Sequence, residues 1–354
     1  MKNFVKLVAL ILALALLCAC GAQTAAPAET TTAAATAAEA TTAPETTAAE
    51  TTAADDITIR AMVLSGTTGF GMAKLIADAE AGETAVPCTV SVETDASNVT
   101  AALVSGSIDV AALPTNAAAA VYNKTQGGVQ VLALNTRGVL YLMTGAGESV
   151  SSFADLKGKT VYVPAQNPTF IFTYLCEQNG LTPGEDITID NTYAQPADLQ
   201  TALASGEITL AVLPEPMVTI AKSANQELTV ALDLTEEWDK VAEPGSLVQG
   251  CLVARTEFVQ AHPEAIAAFL QDCEASVQYL TAEPAEAAAL IEQVGIFAKA
   301  AVAEKAIPNC NVCFVTGSEM KTSLGTYLGV LFGLDPSSVG GAIPDSDFYY
   351  TPQA

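Results

Sequence analysis

Short polar segments follow four apolar runs of this 354-residue chain, and their side chains could bind a small molecule. Hydroxyl and amide groups exchange hydrogen bonds without ionising, so they suit the oxygens and nitrogens of a ligand. The alternative is that these residues only cap helices, as Ser, Thr and Asn do in many proteins. The candidate ligand-binding residues of this kind are Ser65, Thr67, Thr68, Thr115, Asn116, Gln166, Asn167 and Thr169.

Two charged residues complete the candidate site. Glu215 stands near the start of a predicted helix, where its carboxylate could bind an amine or a ring N–H of a ligand. The helix dipole would also stabilise a carboxylate there without any ligand. Arg137 is one of three arginines and could hold a carboxylate or sulfonate, or it could form a surface ion pair in this acidic protein.

Signals for catalysis or metal binding are weak. The one histidine, His262, lies in an Ala-His-Pro sequence that predicts the start of a surface helix. Cys310 and Cys313 form a CxxC pair, but the following residues predict a strand and a turn, whereas a thioredoxin-like motif needs a helix beginning at the first Cys. A zinc site lacks further ligands. We therefore expect structural cysteines or disulfides, with pairings that the sequence does not choose, and no catalytic residue, metal or cofactor.

Three aromatic residues allow two interpretations each. Phe70 and Phe170 occupy matching places in the first turns of their predicted helices, where packing between helix and sheet is favoured over contact with a ligand. Trp238 is the only tryptophan and follows two glutamates in a predicted surface or hinge segment. It could stack on a ligand or cover the hinge.

A duplication positions the candidate residues. Residues 101–116 read AALVSGSIDVAALPTN and residues 201–216 read TALASGEITLAVLPEP, with eight identical positions. In each copy, Ser-Gly predicts the end of a helix, the apolar residues predict a strand, and Pro predicts the start of the next helix. A weaker similarity between residues 63–70 and 163–170 extends the repeat towards the N-terminus.

The repeat predicts an α/β fold of two doubly wound lobes with a hinge and an interlobe cleft. Its strands are nearly continuous apolar runs, as expected when helices cover both faces of a parallel sheet. We assign residues 56–138 and 247–354 to lobe 1 and residues 139–246 to lobe 2. Ligands of such sheets bind beyond the carboxyl ends of the strands, so the four polar segments would face one cleft. Arg137 would lie at the first crossing between lobes.

The N-terminal residues have the layout of an export signal. A basic start precedes an apolar stretch at residues 7–17, which is too short to span a bilayer. The following LCACG resembles a bacterial lipobox, and Cys20 fits the lipidated position better than Cys18 because a small residue precedes it. We expect a signal peptide at residues 1–19 and a diacylglycerol anchor on Cys20. The alternative is an ordinary cleaved signal with an incidental cysteine.

Composition predicts a disordered tether at residues 20–55. From residue 22 to residue 54 the chain contains only Ala, Thr, Glu, Pro and Gln, which cannot build a core. The formal charge of the whole chain is −25, and loss of Lys2 and Lys6 with the signal makes it −27. Such a charge repels nucleic acid and anionic lipid surfaces, so neither is an expected partner.

The chain resembles the type II substrate-binding proteins of ABC importers over roughly residues 56–350. The resemblance rests on the lipobox, the tether, the two α/β lobes, the DLKGK sequence at residues 155–159 and the HPEAIAAFL sequence at residues 262–270. The most similar branch serves nitrate, sulfonates, taurine and thiamine-pyrimidine precursors.

This resemblance implies a monomeric extracytoplasmic lipoprotein of a bacterial cell membrane. It would capture a small organic solute between its lobes and deliver it to the permease and ATPase of an ABC transporter. The alternatives are an enzyme recruited on the same fold and a surface sensor or adhesin. The identity of the solute does not follow from the sequence.

Overall fold

Two β-sheets with helices packed around them form the folded part of the protein. The computed structural model describes residues 57–352. The predicted signal peptide, the lipidation site Cys20 and the tether lie outside the described residues.

The strands of both sheets are short apolar segments, as the duplicated sequence predicts. In chain order they are β1 (Ile59–Leu64), β2 (Cys88–Glu93), β3 (Val110–Pro114), β4 (Val129–Arg137), β5 (Leu140–Thr144), β6 (Thr160–Tyr162), β7 (Thr188–Asp190), β8 (Leu210–Pro214), β9 (Thr229–Asp233), β10 (Val248–Arg255) and β11 (Val312–Val315).

The helices lie between the strands and dominate the C-terminal part. They are α1 (Thr67–Phe70), α2 (Ala73–Ala81), α3 (Ala96–Ser105), α4 (Thr115–Thr125), α5 (Asn167–Gln178), α6 (Pro196–Ser205), α7 (Met217–Ala224), α8 (Leu234–Asp239), α9 (Thr256–Ala261), α10 (Pro263–Ala282), α11 (Pro284–Gln293), α12 (Ala300–Ala306) and α13 (Gly317–Leu334).

The second sheet takes its strands from one continuous part of the chain, and the first sheet takes its strands from the parts before and after it. The first sheet has the order β11-β4-β10-β3-β1-β2, and the second has the order β7-β6-β8-β5-β9. The strands β1, β2 and β3 pair in parallel, as do β6, β7 and β8. The chain passes from the first sheet to the second after β4 and returns before β10.

The sheets are mixed, whereas the sequence predicted parallel sheets. β10 runs antiparallel to β3 and β4, and β5 runs antiparallel to β8 and β9. Both β5 and β10 come directly after a passage between the sheets. They therefore enter from the other sheet instead of through a βαβ crossover, which is the connection that produces parallel pairs.

The duplicated segment folds in the same way in both copies. Gly106 ends α3 with φ 74°, and Gly206 ends α6 with φ 78°. In both copies the amide of the glycine donates to the carbonyl of a leucine three residues earlier, Leu103 or Leu203, at 3.2 and 3.1 Å. This positive φ favours glycine, so the Ser-Gly signal correctly predicted the helix ends.

The C-terminal helices pack on elements of both sheets. α10 and α11 lie against α2, as expected for helices returning to the first sheet. α12 also contacts α7, and α13 contacts both α4 and α5. Within residues 57–352, no helix has the length and apolarity needed to cross a membrane.

Trp238 does not lie at the surface, which was one of the two settings predicted for its segment, the other being a hinge. The side chain is completely buried, although the acidic residues before it suggested a surface segment. Glu236 and Glu237 lie in the first turn of α8, while Trp238 points inward from the same helix. The helical turn separates the two faces, which a linear sequence of charges does not show.

Candidate functional site

Residues at equivalent strand ends begin the candidate site. β3 and β8 end at Pro114 and Pro214, and Thr115 and Glu215 follow them directly. β1 runs parallel to β3 and β6 runs parallel to β8, so the segments after β1 and β6 lie at the same edges of the two sheets. Asn167 begins α5 after β6, as predicted.

Glu215 is a buried carboxylate that accepts two hydrogen bonds from Thr219. Its side chain is 3% exposed. The backbone N–H of Thr219 donates to Oε2 at 3.1 Å, and the Thr219 hydroxyl donates to Oε1 at 3.0 Å. Burial raises the pKa of Glu215, while the two bonds from Thr219 and the nearby Asn309 amide and Lys222 charge counteract part of that effect.

A cavity of about 580 Å³ opens beside Glu215. Its size suits a small organic molecule. The lining comes from two parts of the chain: β5, the segment after β8, α7 and β9 on one side, and α12 with the turn after it on the other. The lining residues are Tyr141, Glu215, Val218, Thr219, Lys222, Ser223, Gln226, Val230, Asp233, Lys305 and Asn309.

Tyr141 and Asn309 join the two sides of this cavity. The Tyr141 hydroxyl donates to the backbone carbonyl of Asn309 at 2.8 Å. Burial, together with the nearby charges of Asp233 and Glu215, raises the pKa of Tyr141, so its hydroxyl stays protonated and acts as a donor.

Asn167 contacts α13 through a buried tyrosine. The Tyr327 hydroxyl donates to Oδ1 of Asn167 at 2.8 Å. Trp238 packs between Tyr327 and Tyr174, with ring centroids 5.7 and 4.8 Å away, and its Nε1–H donates to the Ser246 hydroxyl at 2.8 Å. Trp238 therefore belongs to an aromatic cluster shared by α5, α8 and α13.

Asn116 and Thr115 lie at the start of α4. The Thr115 hydroxyl is completely buried and donates to the carbonyl of Val248 at 2.8 Å. The Asn116 amide donates to the carbonyl of Ser338 at 3.4 Å, while its buried Oδ1 has no partner among residues 57–352. A buried acceptor without a donor is costly, so Oδ1 of Asn116 has capacity for one more hydrogen bond.

The segment after β1 leaves three half-buried hydroxyls without protein partners. Ser65, Thr67 and Thr68 make no side-chain hydrogen bond within residues 57–352, although the carbonyl of Thr68 accepts from Asn135 at 3.0 Å. These hydroxyls are thus available to a ligand. Phe70, which follows them, is fully buried in the core, as favoured from the sequence.

The segment after β6 is arranged differently. Gln166 is exposed with φ 66°, and Phe170 is partly buried against the core. The Thr169 hydroxyl donates to the carbonyl of Pro164 and accepts from the amide of Asn191, both at 2.8 Å. Thr169 therefore stabilises the helix start through protein contacts.

Arg137 ends β4 and is bonded to protein groups. Its guanidinium donates to Glu319 at 2.9 Å and to the carbonyl of Gly245 at 2.5 Å. This is the ion pair that the sequence offered as the alternative to ligand binding. The remaining two arginines, Arg60 and Arg255, both pair with the buried Asp109.

The described cysteines are free thiols, including both members of the CxxC pair. Cys310 is fully buried and donates to the carbonyl of Ala306 at 3.1 Å. Burial raises the pKa of both thiols, that of Cys313 to about 11. A redox-active CxxC needs a lowered thiol pKa, so these environments favour a structural role. Residues 57–352 contain no cluster of His, Cys, Asp and Glu suited to a metal ion.

Sequence reasoning missed several cavity residues. Tyr141 lies at a strand position that gives no functional signal, and Lys305 and Asn309 come from a helix and a turn far along the chain. Asp233 had a local signal, since it precedes Leu-Thr-Glu-Glu and caps α8 by accepting from Thr235 and Glu236. The contribution of α12 depends on tertiary packing.

Known proteins share this fold at low sequence identity. An ABC transporter from Parabacteroides distasonis matches with a TM-score of 0.70 and 23% identity, covering 84% of this chain and 99% of that one. The periplasmic aliphatic sulphonate binding protein SsuA of Escherichia coli matches with a TM-score of 0.67 and 15% identity, covering 84% and 92%. The alkanesulfonate-binding SsuA of Xanthomonas axonopodis pv. citri, bound to MOPS, matches with a TM-score of 0.58 and 14% identity, covering 81% and 94%.

These similarities show the fold of substrate-binding components of ABC transporters. No curated protein sequence matches the chain significantly. The sequence model described as NMT1/THI5 like matches residues 85–287, which is more than half of the 354 residues. The chain belongs to the NMT1/THI5-like family.

Proposed function

We propose that this protein captures a small organic solute outside the cytoplasm and delivers it to the permease and ATPase of an ABC transporter. The observation that carries the proposal is the cavity beside Glu215. Residues from two distant parts of the chain line this cavity together. The shared fold and the family membership support the same function. Solved relatives named for sulfonate binding make a small solute the natural occupant.

In this proposal, residues 56–138 with 247–354 and residues 139–246 act as two lobes. The chain connects the sheets only through the segments after β4 and before β10, which suits a hinge. The cavity and the free groups at Ser65, Thr67, Thr68 and Asn116 would meet the solute when the lobes close. The other proposed contacts are Thr115, Arg137, Gln166, Asn167, Thr169 and Glu215.

The proposed location is the outer side of a bacterial cell membrane. Diacylglycerol on Cys20 would anchor the protein, and residues 20–55 would hold the folded part above the bilayer as a monomer. Catalysis is not part of the proposal.

Two measurements on the purified protein test solute binding. Native mass spectrometry should find a small organic molecule that remains bound, and a thermal-shift screen of sulfonates, carboxylates, amines and pyrimidines should raise the Tm with at least one compound. Trp238 is the sole tryptophan, and it packs against side chains of α5 and α13. Because α5 follows a strand of the second sheet and α13 follows a strand of the first, the fluorescence of Trp238 should change when the lobes close. If metal ions alone shifted the Tm, the proposed organic solute would be wrong.

A further inference from the structure

The cavity beside Glu215 has a charge arrangement that selects among ligand classes. Its lining carries two carboxylates, the buried Glu215 and the half-buried Asp233, and two exposed lysines, Lys222 and Lys305. Val218 and Val230 add apolar side chains to the lining. The less exposed charged side chains of the lining are therefore negative, and the more exposed ones are positive.

The inner carboxylates keep acceptor capacity for a ligand. Glu215 makes no ion pair with any residue of the described range. Thr219 donates one hydrogen bond to each of its oxygens, and a carboxylate offers about four acceptor sites. Oδ1 of Asp233 caps α8, while Oδ2 has no hydrogen-bond donor within residues 57–352.

Within residues 57–352, the two lysines keep free ammonium groups, and the charge of Lys222 also acts on Glu215. Lys222 lies on α7 and Lys305 on α12, so the two lysines come from the two separate parts of the chain that line the cavity. Both are exposed, and neither forms an ion pair with a described residue. An anionic group of a ligand would therefore find an ammonium group on each of these elements.

We infer that this cavity binds a zwitterionic solute, with its cationic nitrogen beside Glu215 and Asp233 and its anionic group between Lys222 and Lys305. The inference rests on the proposed solute-binding function and specifies its ligand class. A simple anion that entered fully would meet two carboxylates, and a simple cation would leave the lysines unused. Specificity of this kind combines attraction for one ligand with repulsion of its competitors.

Matched sets of three compounds test the ligand class. Each set contains a zwitterion, the same skeleton without its amine and the same skeleton without its acid, such as 5-aminopentanoate, pentanoate and pentylamine. An aromatic set uses 4-(aminomethyl)benzoate, 4-methylbenzoate and 4-methylbenzylamine. Full-length protein in detergent, freed of bound solute by unfolding and refolding, would be titrated by calorimetry. At least one zwitterion should bind about tenfold more tightly than both of its partners.

Substitutions then place the two charges of the bound compound. Glu215→Gln should lower the affinity for the zwitterion by about tenfold or more, because it removes a charge-assisted hydrogen bond. It should leave the affinity for the acid-only compound unchanged. Lys305→Met should lower the affinity for the zwitterion and leave the affinity for the amine-only compound unchanged. Glu227→Gln and Lys299→Met are the controls, since both residues are exposed and lie outside the cavity lining.

The inference and the proposed function fail in different ways. The inference would be overturned, with solute binding intact, if acid-only compounds bound as tightly as zwitterions and if Glu215→Gln left the affinity for both unchanged. The inference would also be overturned if no zwitterion bound at millimolar concentration. A protein that binds no organic compound and retains none from cells would overturn the proposed function itself.

Discussion

Tyr327 donates its buried hydroxyl to Oδ1 of Asn167 at 2.8 Å, which joins the C-terminal helix α13 to the start of α5. The two residues are separated by 160 positions. The bond connects α5, which lies among the elements of the second sheet, to α13, which also contacts α4. Trp238 packs on the same tyrosine ring.

Replacement of Tyr327 with Phe should destabilise the protein. The variant loses the hydroxyl and leaves a carbonyl oxygen of Asn167 without its donor, at a cost of about 0.5–1.5 kcal/mol. Urea unfolding followed by Trp238 fluorescence would measure the change. Tyr193→Phe is the control, since that hydroxyl bonds to Glu207 at an exposed position. Equal stabilities for wild type and Tyr327→Phe would show that the bond contributes nothing.

Replacement of Glu215 with Gln should stabilise the protein at neutral pH while weakening ligand binding. Burial raises the pKa of Glu215 above its ordinary 4.5, so the folded protein binds this proton more tightly than the unfolded chain. Stability of the wild type relative to Glu215→Gln is therefore greatest below pH 4.5 and falls as the pH rises through the folded pKa. Unfolding both proteins over this pH range measures the difference.

The control for this prediction is Glu227→Gln, which removes one negative charge at an exposed position. It separates the effect of the buried site from the effect of net charge. A constant stability difference between wild type and Glu215→Gln across the whole pH range would mean that the Glu215 pKa is not raised.

Cys20 should carry the lipid. The LCACG sequence puts a leucine three positions before Cys20 and a small residue directly before it. Cells expressing Cys20→Ala should therefore fail to incorporate a fatty-acid analogue into the protein, whereas Cys18→Ala should label normally. Labelling that persisted in Cys20→Ala would reject this assignment, and loss in Cys18→Ala alone would move the site to Cys18.

A protein of residues 56–354 should fold and bind solute as well as the mature chain. Residues Ala54–Ala354 form one compact unit, and the segment before them offers no aliphatic or aromatic side chain from residue 22 onward. Tm and solute affinity, compared between the two proteins, provide the measurement. A lower Tm or weaker binding after truncation would assign the tether to the folded unit.

Local signals were sufficient for the framework of the fold. Glycine at positions 106 and 206 and proline at positions 114 and 214 placed the ends of two helices and two strands in both copies of the repeat. These features depend on the backbone preferences of single residues, which the sequence states directly.

Tertiary features were harder to anticipate. The burial of Trp238 follows from the inner face of α8, while its charged neighbours suggested exposure. Asn309 and Lys305 reach the cavity because α12 packs on α7, and nothing in their immediate sequence indicates that contact. The ion pair of Arg137 with Glu319 likewise joins distant segments.

Calorimetric titration of the co-purified solute into three alanine variants tests the central claim most directly. The claim is that Asn116, Asn167 and Glu215 line one ligand cleft. We predict losses of about 0.5–1.5 kcal/mol for Asn116→Ala and Asn167→Ala, and of about 1.5–3 kcal/mol for Glu215→Ala if its contact is charge-assisted. Unchanged affinity in all three variants would contradict the site and the binding mechanism built on it.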